Sequence, residues 1–133
     1  MTFGELEMAL AQHLAEILNC PPIAWANKDP VSNTPPYLEV RNAPNTRENP
    51  TIDGTGPAIL TGLFLVTVVT ARNVFTGPAN ALAQDIADHF PKTMRLVAGD
   101  GNVVIYRSTE IAPGFTDGTH YRLPVRVFYT TEV

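Results

Sequence analysis

Asp85 and His89 stand one helical turn apart, the spacing at which two side chains on one face of a helix can hold a metal ion. Spacing supplies no third ligand, and His13 and His120 fall on distant segments, so the pair reads as two neighbours on a solvated helix face. Cys20 precedes Pro21 and Pro22 with no base beside it, which describes a buried or inert thiol. As the only cysteine it allows neither an intrachain disulfide nor a thiolate zinc site. The stretch "DGTG" at 53–56 has no lysine or following Ser/Thr to meet phosphate and magnesium. It also leads into a strand, whereas phosphate loops lead into a helix N-terminus, where amides and dipole converge. Asp100 and Asp117 are each followed by glycine, which makes turns of them before it makes catalytic acids. No nucleophile, base and orienting group assemble from these residues. The expectation is a protein that is not an enzyme and needs no cofactor, nucleotide or metal.

The elements that would position these residues are clearer than the chemistry. Thr2 and Glu5 have capping-box spacing. Phe3, Leu6, Leu10, Leu14 and Ile17 then recur at helical steps, and "NCPP" ends the pattern. Eight of the 12 prolines lie between Pro21 and Pro57, which predicts only short strands there, with "IAW" and "YLEVR" as candidates. In "YLEVR" Leu38 and Val40 point one way and Tyr37, Glu39 and Arg41 the other. From Ile59 to Ala71 both alternating faces are mostly apolar, as in a central strand covered on both sides. A second helix runs from about Pro78 to Pro91, with Ala79, Leu82, Ala83, Ile86 and Phe90 inward. "MRLV" and "NVVIYR" flank a tight "AGDG" turn, whose glycines are expected to supply positive φ. The last segment sets Tyr121, Leu123, Val125, Val127 and Tyr129 against Arg122, Arg126 and Phe128, with Pro124 predicting an edge or a bulge. The fold class is α+β: one domain over 1–133, a mostly antiparallel sheet of strands of mixed length with two α-helices packed on it.

A chain of 133 residues is one ordinary domain, and its net charge of -4 offers no basic footprint for gripping nucleic acid. The opening "MTFGELEMAL" has acidic residues and no basic stretch, so it does not resemble a signal peptide. The apolar run Ala58–Ala71 is shorter than the ~20 residues a membrane helix needs. A soluble cytosolic product without a membrane partner is expected.

The long loop from Ala43 to Pro57 is the unusual feature, because loops of this length within a compact domain are commonly functional or disordered. It holds Arg47, Glu48 and Asp53 around Ile52, a lone aliphatic residue in polar company, and so offers a partner contact. Charges also segregate: Glu5, Glu7, Asp85 and Asp88 lie on the two helices, and Arg107, Arg122 and Arg126 on the strands. In an assembly of like subunits, Arg122 and Arg126 would be expected to face a neighbour's carboxylates, with Glu5, Glu7, Asp85 and Asp88 as the candidates.

The order of an N-terminal helix, "IAWAN", "YLEVRNAPN", a glycine-bearing loop into "GPAILTGLFLVTVVTA", a helix ending "DHFP" and a closing "YRLPVRVFYTT" resembles the phage tail terminator-like proteins. The similarity spans almost the whole chain. It implies a hexameric ring that closes the head-proximal end of a long tail, stops tube growth and offers a surface to the head-tail connector protein. The implied partners are other copies of the chain, the tail tube protein and the connector, with DNA passing through the ring without sequence-specific binding. The implied location is the virion tail, after assembly in the host cytoplasm. Another head-completion or minor tail protein of the same fold, or a small ligand-binding or enzymatic domain, are the alternative readings.

Overall fold

The computed structural model describes residues 2–17, 20–25, 36–49, 52, 54, 58–72 and 76–132. The chain runs α1 (Phe3–Ala15), β1 (Ile23–Ala24), β2 (Tyr37–Glu48), β3 (Ile59–Ala71), α2 (Gly77–His89), β4 (Arg95–Ala98), β5 (Gly101–Ile105), β6 (Glu110–Ile111), β7 (Phe115–Asp117) and β8 (His120–Glu132). The strands form one sheet in the order β1-β2-β3-β8-β5-β4. Its pairings are antiparallel except β1 with β2. The α+β architecture with two helices on a largely antiparallel sheet is as the sequence predicts.

Both helices form for the local reasons the sequence gives. The Thr2 hydroxyl accepts from the Glu5 amide at 3.2 Å and the Glu5 carboxylate accepts from the Thr2 amide at 2.9 Å, closing the capping box. Leu6, Leu10 and Leu14 are then fully buried, while Phe3 stays about half exposed at 47%. In α2 proline occupies the first turn, and Ala79, Ala83 and Ile86 face inward with Phe90 beyond them. The small alanines bring α2 close to the sheet.

β3 is the spine, paired along its whole length with β8 on one side and with β2 on the other. Its helix-side residues Leu60, Phe64, Val66 and Val68 are buried against the leucines of α1 and the inner face of α2. Gly62 is required on that face, because a Cβ there would sit 2.7 Å from the Tyr129 hydroxyl. Tyr129 is fully buried beside it and donates to Asn42 Oδ1 at 2.5 Å. Burial pushes the phenol up to about 12, so it remains a donor.

Three local expectations are corrected. β2 is 12 residues long despite its proline, because a register shift between Pro44 and Thr46 lets the ladder continue to Glu48 opposite Ile59. Of the two glycines in "AGDG", Gly99 has positive φ and Gly101 instead begins β5. Pro124 is neither on an edge strand nor at a bulge: it faces Thr67 of β3 in a continuous ladder. Its carbonyl accepts from the Ala112 amide at 3.0 Å on the other side. A strand residue's N–H and C=O point the same way, so the missing donor falls toward β6 and costs the β3 ladder nothing. That second edge of β8 is covered piecemeal, by β7 at its start, β6 in its middle and β5 at its end.

Candidate assembly surfaces

The sheet face turned away from the helices carries an ordered set of charges. Cross-strand register puts Tyr37, Val69 and Arg122 in one row, Glu39, Thr67 and Pro124 in the next, and Arg41, Leu65 and Arg126 in a third. Arg122 bonds Glu39 at 2.6 Å through Nη1 and Asp117 at 3.0 Å through Nε. Arg126 bonds Glu110 at 2.6 Å. Burial alone would lower the Arg122 pKa, but the Glu39 and Asp117 carboxylates outweigh it and hold the guanidinium above its ordinary value. Arg107 lies over the Phe128 ring at 4.1 Å.

Both arginines expected to reach a neighbour therefore have carboxylate partners in their own chain. The helix acids proposed to meet them are partly engaged as well: Glu5 in the capping box, and Glu7 accepting from Asn42 at 3.4 Å. Asp85 and Asp88 lie exposed on α2. Sequence reasoning missed Glu110 and Asp117 as partners because β6 and β7 are too short to leave a periodic signal, and Glu39 because only the sheet order brings β2 within reach of β8 across β3. Arg122→Glu would set a third carboxylate beside Glu39 and Asp117, and the monomer is expected to lose about 1–3 kcal/mol, between exposed and buried ion pairs. Adding Glu39→Arg should restore part of it. Urea unfolding measures both; unchanged monomer stability with impaired oligomerisation would return Arg122 to a subunit contact.

The predicted loop is shorter than its sequence limits, since 43–48 belong to β2. Arg47 and Glu48 pair with Leu60 and Ile59, and the Arg47 guanidinium lies 5.9 Å from the centre of the Phe3 ring. Beyond the ladder, Asn49 donates to the Gly54 carbonyl at 3.1 Å. Gly54 there takes the positive φ of 72°. Ile52 is as exposed as in an extended peptide, at 109%. Asp53 lies outside the described residues.

An open apolar groove of about 430 Å³ runs between α1 and β2, lined by Met8, Ala11, Ala15, Trp25, Val40 and Phe64. Met8 on its rim is 61% exposed. Cys20 donates weakly to the Pro21 carbonyl at 3.4 Å and its pKa is raised by burial, which suits the inert thiol expected.

A model of the phage tail terminator protein family matches residues 5–129. The chain belongs to the phage tail terminator family. Its place is thus among structural components of phage virions, as the order of motifs implies. No curated protein matches it. One solved structure superposes with TM-score 0.82 at 18% identity, covering 100% of this chain and 97% of its own. A chain from the virion of a native gene transfer agent particle superposes with TM-score 0.66 at 16% identity, covering 98% of this chain and 96% of its own. At these identities the likeness is one of fold.

For a tail terminator the surfaces above are of two kinds. Arg122 and Arg126 are neutralised within the chain, whereas Ile52 and the groove are apolar surface left to solvent. Sequence reasoning also missed the meeting of His13 and His89, 76 residues apart. The last turns of α1 and α2 come together, and the imidazoles stack with centroids 3.9 Å apart. Only the packing of two helices side by side could have revealed it. His120 is elsewhere, edge-on to Tyr37.

Proposed function

We propose that the protein assembles as a hexameric ring on the head-proximal end of a long tail tube, ends tube polymerisation there and joins the tail to the head connector. Membership of the terminator family over nearly the whole chain carries this reading. The geometry supports it. β4 and β1 lie at opposite edges of the sheet, so the two flanks of a subunit are unlike, as head-to-tail ring contacts require. The connection 49–58 serves as the arm that reaches a neighbour or the tube, and its Ile52 is fully exposed. A subunit of net charge -4 suits a bore through which duplex DNA slides without being held. Assembly takes place in the host cytoplasm and the ring resides in the virion. Electron microscopy of the purified protein, alone and with tail tubes, tests this. Sixfold rings and capped tube ends are expected; a strict monomer at all concentrations with uncapped tubes would overturn it.

A further inference from the structure

We propose that His13, Glu16 and His89 form a binding site for a transition-metal ion of the zinc class, held between the C-terminal ends of α1 and α2. Each histidine Nε2 lies 2.6 Å from the other's backbone carbonyl oxygen. A carbonyl only accepts, so each Nε2 carries the proton and each Nδ1 of a neutral ring keeps a lone pair. A metal-binding imidazole commonly has this arrangement, with its far N–H fixed by a carbonyl. The Glu16 carboxylate stands 3.7 Å from His13 Nδ1. Ligand atoms from all three residues come within 4.8 Å of one another. The site also lies at two helix C-termini, whose partial negative charge favours a cation.

Two imidazoles and a carboxylate select zinc, cobalt, nickel or copper over magnesium or calcium. Three protein ligands leave a fourth position, and Glu16 at 69% exposure opens it to water. The rings now lie 16° from parallel, and an ion must sit in the plane of each ring it binds. Binding therefore turns one imidazole out of the stack and off its carbonyl, leaves the other held, and draws the ligand atoms to roughly 3.3 Å apart, as metal–ligand bonds of about 2.0–2.1 Å require. The ion clamps the two helices at one end. It is not needed for folding, because stacking and the carbonyl bonds already join them.

Tag-free full-length protein, stripped with chelator and dialysed, is titrated with zinc by calorimetry and with cobalt by visible absorbance. One ion per chain, tetrahedral cobalt bands and a zinc-dependent rise in Tm are expected. His13→Gln and His89→Gln should each weaken zinc binding more than about tenfold, Glu16→Gln less, and His120→Gln not at all. In the unmodified protein, zinc should shift the imidazole nitrogen resonances of His13 and His89 and leave His120 in place, a readout independent of any variant's folding. No binding, binding that survives both histidine changes, or unmoved resonances would overturn the proposal. None of these outcomes depends on ring formation.

Discussion

Phe90→Ala is expected to remove about 3–5 kcal/mol of stability, the range for deleting a fully buried aromatic ring. Phe90 ends α2 with no exposed surface and meets the sheet through Phe64, with ring centroids 6.1 Å apart. It meets α1 through His13 at 4.9 Å, edge to face. One side chain thus joins both helices to the spine strand, and its loss opens a cavity that three elements would have to collapse to fill. The backbone would not compensate. Its carbonyl is held by the Thr109 hydroxyl at 3.1 Å and its amide by the last turn of α2, contacts that survive the substitution. Against a total stability of about 5–15 kcal/mol such a loss leaves a marginal fold. Urea unfolding of the monomer measures it, with Phe115→Ala as the comparison: that ring is 51% exposed and should change stability by no more than about 0.5 kcal/mol. Equal effects at the two positions would mean that Phe90 does not join the layers.

What the sequence disclosed followed from periodicity. Leu6, Leu10 and Leu14 and the alternation of β8 are repeated signals, and each names its own buried face. The doubly apolar β3 misled, because it reads as covered on both sides and only its helix-facing residues are consistently buried, with Leu63 and Leu65 opposite half-buried. Length misled where a single residue outweighed its neighbours. Pro44 and Pro124 read as breaks, yet one falls at a register shift and the other faces a covering strand of two residues. The candidate assembly residues were legible as types but not as partners. Arg122 and Arg126 were recognised as an outward row, while Glu39, Glu110 and Asp117 sit on elements whose adjacency only the sheet order creates. The histidine pair illustrates the same limit, since helix periodicity gives the face of a residue and not what a second helix brings to it.

Ile52→Glu is expected to weaken subunit association about a hundredfold per contact while leaving the monomer's stability within about 0.5 kcal/mol. The two halves of that expectation have one cause. A fully exposed isoleucine contributes no burial to its own fold, so removing it costs the monomer nothing. Burying it in a neighbour is worth about 1.5–3 kcal/mol, and a carboxylate there would add a desolvation penalty. In a closed ring every subunit loses the same contact, so the loss is multiplied around the circle. The apolar groove of α1 and β2 is one surface that the tip of a neighbouring arm could fill, with tube protein as the other. Sedimentation across a concentration series measures the association, and hydrogen exchange locates it: amides in 49–58 should exchange fast in the monomer and slow on assembly. Equal protection in both states, or rings that form normally with glutamate at the tip, would remove the arm from the interface. Ring closure would then have to rest on the unlike edges of the sheet, where β4 presents Val97, 78% exposed, on the flank opposite β1.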